Sequence, residues 1–431
     1  MKHSREILAI ALPAIVSNIT TPVLGLVDVA VTGHIGAAVY IGAIAVGGTM
    51  FNMLYWLFNF LRMGTSGLTA QAYGADDGNR CTMLFWRSVT VAVIIGACIL
   101  ALSQPIGGVI LRFMDADNAT QSLAATYFSI CVIGAPAVML SYALSGWFIG
   151  MQDSRTPMWM ALLTNVANIV ASITLVFGFG LKIEGVAAAT CLAQWLGVLL
   201  GLVIAIKRYR IRRPDFRIVF ERGPLAAFFR INTDIFFRTA CLVAVTLWFT
   251  HAGASQSVDI LAANALLLQL FMLFSFFIDG FAFAGEALAG KYHGRGSQTS
   301  LRTLVNELMR IGLYFAIIFT ALYILGGEWF MAMLAEDKNV VSIAAAYLPW
   351  AAAVPLCGFA AFIFDGIFVG LTRTRAMLSA MAVAMLTFFC IYFALKSALG
   401  NNALWLAFCS YLAVRGLAEY MFYRRLKMPK V

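Results

Sequence analysis

Long apolar runs are the feature that most limits how this chain can fold. They last 20 or more residues each, and the chain is 62% hydrophobic with only 12% charged residues. A helix needs about 20 apolar residues to cross the hydrocarbon core of a bilayer, whereas a barrel strand alternates over about ten. The pattern therefore predicts an all-α integral membrane protein and excludes a soluble domain or a β-barrel.

Twelve transmembrane helices in two lobes account for these runs. The predicted spans are 7–33, 40–72, 86–111, 122–150, 157–179, 184–206, 228–251, 257–290, 303–327, 341–370, 375–396 and 402–423. An N-lobe covers residues 1–206, a basic cytoplasmic linker 207–227, and a C-lobe 228–431. Only four of the 30 Lys and Arg fall on outward loops or their edges, which predicts that both termini are cytoplasmic. Because the net charge of +10 follows membrane topology, a nucleic-acid partner is not expected.

The two lobes are predicted to be parallel repeats. GWFIGMQDSR at 146–155 matches GIFVGLTRTR at 366–375, an offset of 220 residues. Six spans in each lobe keep the repeats in the same direction, and substrate is expected between them. The same offset from Asp28 falls near Trp248, so the lobes are not chemically equivalent.

The first predicted helix carries one acid. A face of small and polar residues follows helical spacing: Asn18, Thr21, Gly25, Asp28 and Thr32. Because an unpaired carboxylate at membrane depth costs several kcal/mol, Asp28 is predicted to serve ion or substrate binding, with a structural hydrogen-bond anchor as the alternative. Pro13 and Pro22 each remove a backbone hydrogen bond, which predicts hinges there and at Gly25.

A polar face on the fifth span is predicted to meet this acid. Asn165, Asn168 and Ser172 recur at helical spacing, and Thr190 lies near the outer end of the sixth span. At about 1.5 Å per residue, Asp28, Ser172 and Thr190 all lie within roughly 10 Å of the outward boundary. Carboxamides and hydroxyls around a carboxylate suit a proton carrier. They also suit Na⁺, and polar residues that only join helices are the remaining alternative.

The C-lobe has charges of its own. Asp234 and Arg238 are one turn apart on the seventh span, and Asp279 and Glu286 are two turns apart on the eighth. We predict that they form a structural or gating network, with ion coupling as the alternative.

Two further pairings are predicted near the inner helix ends. Asp365 is expected to pair with Arg373 or Arg375. Arg415 and Glu419 have the i, i+4 spacing of a structural bridge.

Motifs for catalysis and for metal binding are missing from the sequence. No HExxH, Walker A or GxSxG pattern occurs, and the eight cysteines lie mostly in apolar runs without CxxC spacing. The chain is therefore predicted not to be an enzyme and to bind neither a metal nor an organic cofactor. Without an ATP site, uphill transport would be driven by an H⁺ or Na⁺ gradient.

Motifs along the whole chain resemble those of one transporter family. LGLVDVAVTGHIG, GLTAQAYGADD, GMQDSRTP, TNVANIV, IDGFAFAGEA and DGIFVGLTRTR are similar, in order and spacing, to the multidrug and toxic compound extrusion (MATE) transporters, above all their DinF (DNA-damage-inducible F) branch. The resemblance implies two six-helix bundles that form a V around a central cavity. It also implies antiport of organic compounds against H⁺ or Na⁺.

The resemblance assigns roles to single residues. Asp28 matches the first-helix acid of the family, Pro13 its bending proline, and Asn168 and Thr190 the hydrogen-bonding partners. Ser172 stands where the family usually has an aspartate. A two-carboxylate Na⁺ site is therefore disfavoured, and H⁺ coupling is expected.

These observations lead to one expected function. The chain is expected to be a monomeric, H⁺-coupled antiporter that exports organic, often cationic or hydrophobic, drugs across the bacterial cytoplasmic membrane by alternating access. Protonation of Asp28 and bending at Pro13 are expected to drive release. A Na⁺-coupled antiporter using the C-lobe acids, a lipid-linked saccharide flippase and a channel are the alternatives. The few Arg and Lys within the spans argue against the flippase.

Overall fold

Helices account for every regular element in the computed structural model, which describes residues 2–33, 38–112, 118–211, 219–335 and 337–425. Some side chains near the junction of the first two helices, including those of Thr21, Asp28 and Thr32, are not among those described. The α-helices are α1 (Lys2–Gly33), α2 (Ala38–Leu57), α3 (Phe60–Gly74), α4 (Gly78–Ala101), α5 (Ser103–Arg112), α6 (Asn118–Cys131), α7 (Ala135–Gly150), α8 (Arg155–Ile173), α9 (Ile183–Tyr209), α10 (Arg222–Ala254), α11 (Val258–Gly294), α12 (Gln298–Leu334), α13 (Lys338–Gly370), α14 (Thr374–Leu399) and α15 (Asn401–Arg425).

The predicted all-α membrane fold is confirmed. Ten helical segments within the described residues are long and apolar enough to cross a membrane. Their bounds agree with the predicted spans to within a few residues in the second half. This number is consistent with twelve spans, and the count of twelve stays a prediction.

Three predicted spans of the first half are interrupted helices. The second span is α2 and α3 with a turn at Phe58 and Asn59, and the third is α4 and α5 with a break at Leu102. The fourth passes from α6 through a 3-10 turn at Val132–Gly134 into α7, whose second residue is Pro136. Proline lacks an amide hydrogen, so the α-helical ladder is readily interrupted in front of it.

The chain divides into two compact units. The N-unit comprises Val16–Asn232, and the C-unit comprises Met1–Ile15 with Thr233–Val431. The start of α1 thus belongs to the C-unit, where the Gly280 Cα side of α11 lies against Ala11 and Ile15. The lobe boundaries predicted at 206 and 228 stay predictions, and residues 212–218 of the linker lie outside the described part.

A close helix crossing occurs at the same place in each unit. In the N-unit Gly146 of α7 lies directly against the backbone of Arg62 in α3. In the C-unit Gly366 of α13 lies against the backbone of Ala282 in α11. Both partners are 220 residues apart, so the sequence repeat is also a repeat of packing. Only a residue without Cβ allows two helix backbones to come this close.

The turns that join these helices repeat as well. Positive φ angles occur at Asp76 (57°), Gln152 (65°), Gly296 (70°) and Thr372 (53°). These positions are 76 residues apart within a half and 220 between halves. Each turn reverses the chain with a left-handed residue, and only one of the four uses glycine, which adopts this conformation without strain.

Candidate functional site

A hydrogen-bonded polar cluster lies inside the N-unit, where α8 packs against α9. The Asn168 amide donates through Nδ2 to Thr190 Oγ1 at 2.9 Å, and the Ser172 hydroxyl donates to Asn168 Oδ1 at 3.4 Å. Asn168 is 1% exposed and Ser172 is fully buried. The predicted neighbours therefore meet, and Asn168 is the centre of the cluster.

Backbone carbonyls of α9 complete the cluster. Thr190 Oγ1 donates to the Val186 carbonyl at 3.0 Å, and Cys131 Sγ donates to the Ala187 carbonyl at 3.6 Å. Sequence reasoning expected only apolar contacts from Val186 and Ala187. It missed these two acceptors because they belong to the backbone.

Several polar atoms close to this region are buried without a hydrogen-bond partner among the described residues. They are Asn165 Nδ2, Gln194 Oε1 and the Tyr55 hydroxyl. Asn165 shares the polar face of α8 as predicted, but this amide hydrogen does not take part in the cluster. Such groups in a native interior usually bind water, an ion or a ligand. The N-unit interior thus offers neutral donors and acceptors.

The helix that carries Ser172 changes geometry directly after it. A π-helical turn occupies Thr174–Gly178, with the Phe179 amide donating to the Thr174 carbonyl at 3.2 Å. Short π-helical turns occur frequently at functional sites and leave backbone groups less firmly bonded. No residue pattern in the sequence indicated this turn.

The first helix is regular through its predicted hinges. α1 continues without interruption from Lys2 to Gly33, past Pro13, Pro22 and Gly25. Pro13 is partly buried, whereas Pro22 and Gly25 are exposed. Asp28 lies on this helix, but its side chain is outside the described part, so its approach to Asn168 stays a prediction.

An ion cluster occupies the interior of the C-unit. Arg238 of α10 and Arg415 of α15 both donate through Nη2 to the same oxygen, Oδ2, of Asp365 in α13. All three residues are 8% exposed or less. The predicted pairing of Asp365 with Arg373 or Arg375 is wrong, since its side chain turns to two neighbouring helices and away from the end of its own.

The predicted Arg415–Glu419 bridge is also wrong. Arg415 gives its hydrogen bond to Asp365, and neither carboxylate oxygen of Glu419 accepts one from a described residue. Helical spacing brought the two side chains to one face, but a carboxylate on another helix competes for the guanidinium.

The remaining C-lobe candidates lie apart in their contacts. Asp234 accepts from Thr374 Oγ1 at 2.8 Å and joins α10 to the start of α14. Glu286 is 1% exposed within α11, and Asp279 lies two turns before it on the same helix.

A second ionic contact, absent from the sequence predictions, fixes the start of α1. Glu6 Oε2 accepts from the Tyr292 hydroxyl at 2.7 Å and pairs with Lys291 Nζ at 3.3 Å, and His3 Nδ1 lies 2.9 Å from the same hydroxyl. Burial raises the pKa of Glu6. The Tyr292 hydrogen bond and the charges of Lys291 and His3 outweigh it, so the pKa lies below its ordinary value.

Comparison with known proteins agrees with this fold over the whole chain. The profile of the MatE family matches residues 13–174 and 235–393. The chain is 36% identical over 418 residues to the DNA damage-inducible protein F of Escherichia coli K12, covering 96% of this chain and 91% of that protein.

More distant relatives show the same fold. The chain is 22% identical over 348 residues to a probable multidrug resistance protein NorM of Thermotoga maritima, covering 79% of this chain and 74% of that protein. A solved outward-facing structure of a multidrug resistance MATE family transporter matches with a TM-score of 0.90 at 16% identity, covering 98% of this chain and 95% of that one. The chain belongs to the MatE family, the multidrug and toxic compound extrusion (MATE) transporters.

Proposed function

We propose that this chain is an H⁺-coupled antiporter that exports organic, often cationic or hydrophobic, compounds across the bacterial cytoplasmic membrane. The observation that carries the proposal is the buried cluster of Asn168, Ser172 and Thr190. Its carboxamide and hydroxyls can hydrogen-bond a carboxyl group in either protonation state, as a proton carrier requires. Relatives named as multidrug resistance proteins support efflux as the type of transport.

Asp28 is the proposed proton carrier. It would accept a proton from outside, lose its attraction for a cationic substrate and allow α1 to bend near Pro13, which expels the substrate. The division of α1 between the two units after Ile15 supports a hinge in this region, because the helix start packs on α11 of the C-unit.

Two features favour H⁺ over Na⁺. A Na⁺ ion prefers several oxygen ligands with negative charge, and Ser172 offers a hydroxyl where a second carboxylate would serve. In the C-unit Asp365 already binds two guanidinium groups, which would repel a cation. We further propose that the protein functions as a monomer with both termini in the cytoplasm.

The test uses proteoliposomes loaded with a fluorescent cationic dye. We expect a pH gradient alone to drive dye movement by wild type and Asp28→Asn to abolish it. Asp259→Asn is the matched control, since it makes the same chemical change at an exposed residue outside the cluster. Movement driven only by a Na⁺ gradient, or full coupling in Asp28→Asn, would refute the proposal.

A gain-of-site variant sharpens the ion assignment. Ser172→Asp adds a second carboxylate next to Asn168. If the missing carboxylate is what excludes Na⁺, this variant should respond to a Na⁺ gradient while wild type does not. Equal Na⁺ dependence of both proteins would show that Ser172 does not decide the coupling ion.

A further inference from the structure

Four charged side chains in the C-unit form a buried ion cluster: Arg238, Asp365, Arg415 and Glu419. They come from α10, α13 and α15, and their exposed fractions are 8%, 6%, 2% and 0%. The Arg415 guanidinium also lies over the Phe362 ring, 5.6 Å from its centroid. Two positive and two negative groups are thus enclosed among apolar helices.

Hydrogen bonds are distributed unevenly in this cluster. Both guanidiniums bind Asp365 Oδ2, whereas Oδ1 and the Nε atoms of Arg238 and Arg415 have no partner among the described residues. Glu419 is fully buried, and neither of its oxygens accepts a hydrogen bond. A buried carboxyl group without hydrogen bonds destabilises the fold, and an apolar side chain of similar size would not.

The position of Glu419 shows what could satisfy it. It lies four residues after Arg415 on α15, so the two side chains share one helix face at neighbouring positions. Rotation of the Arg415 side chain would exchange Asp365 for Glu419 while Arg238 keeps Asp365 paired. The four formal charges sum to zero in both arrangements, so no ion has to enter or leave. Asp279 of α11 lies within electrostatic reach of both guanidiniums and does not change between them.

We propose that Glu419 is a positioning residue of the transport cycle that accepts Arg415 when Asp365 releases it. In the present arrangement Arg415 joins α15 to α13; in the other it bonds within α15, and the two helices are free to shift. The proposal rests on the proposed transport function, but the exchange itself can be tested without transport.

The stability test compares Glu419→Gln in two backgrounds. In wild type we expect it to leave the thermal unfolding midpoint within about 2 °C, because the carboxylate has no bond to lose. In Asp365→Asn, where Glu419 is the remaining partner for the arginines, we expect the same substitution to lower the midpoint by about 5 °C or more. Equal effects in both backgrounds would overturn the exchange.

The transport test measures dye efflux at saturating substrate. We expect Glu419→Gln to slow turnover at least about tenfold with little change in KM, and Glu419→Asp to restore part of it. Normal turnover in Glu419→Gln overturns the role in transport. If Asp365→Asn cannot be recovered folded, this result decides alone. If wild type transports nothing, the proposed function fails while the stability comparison still tests the exchange.

Discussion

The Asn168 amide can be tested quantitatively because the same helix face offers a matched control. Asn168→Ala removes the hydrogen bond to Thr190 at 2.9 Å and the longer one from Ser172 at 3.4 Å. Hydrogen bonds between membrane helices contribute about 0.6 kcal/mol each on average, and buried neutral ones in general about 1 kcal/mol. The expected loss is therefore about 1–2 kcal/mol, or roughly 2–6 °C in the unfolding midpoint.

Asn165→Ala is the control for this prediction. Asn165 lies one turn earlier on α8, and its Nδ2 has no hydrogen-bond partner among the described residues. Removing it should change the free energy of unfolding by no more than about 0.5 kcal/mol. Thermal unfolding of both variants in one detergent, followed by size-exclusion chromatography, gives the comparison.

A double-mutant cycle isolates the central bond. Thr190→Val removes the acceptor, so its effect should be smaller in the Asn168→Ala background by about 0.5–1.5 kcal/mol. The reasoning is refuted if Asn165→Ala costs as much as Asn168→Ala, or if the Asn168 and Thr190 effects add without coupling. Either result would mean that Asn168 stabilises the unit by packing alone.

Three further predictions concern the fold around the site. Gly146→Ala and Gly366→Ala each place a methyl group against the backbone of the neighbouring helix, so each should lower stability by about 2 kcal/mol or more in thermal unfolding. Asp76→Gly should raise it by about 0.5 kcal/mol, since φ is 57° there; a lower midpoint would contradict the strain. The depressed pKa of Glu6 gives stability that is present above its ordinary pKa and lost as the pH falls through the folded value. Glu6→Gln should therefore reduce stability near pH 7 by less than about 1 kcal/mol and flatten the acid side of the pH profile; an unchanged profile would show that the contact with Tyr292 contributes nothing.

Residue spacing was a sound guide to contacts between neighbouring polar helices. The face of Asn168 and Ser172 on α8, and its match with Thr190 on α9, could be predicted because both helices are regular and adjacent in sequence. The π-helical turn after Ser172 could not, because it depends on backbone strain that no residue type marks.

Partners of buried charges were poorly predicted. A guanidinium in an apolar interior takes the carboxylate with the best geometry, and sequence distance does not limit that choice. Arg415 therefore binds Asp365, 50 residues away, and leaves Glu419 on its own helix without a hydrogen bond.

The sequence by itself determined the solvent, the class of fold and the repeat. Apolar runs of helix length allow only membrane helices, because backbone groups must be satisfied within each segment. The 220-residue offset likewise predicted the matching glycine contacts. Only the tertiary structure decided that the start of α1 packs with the second unit and that Asp365 unites two arginines, because both depend on which side chains meet once the helices have packed.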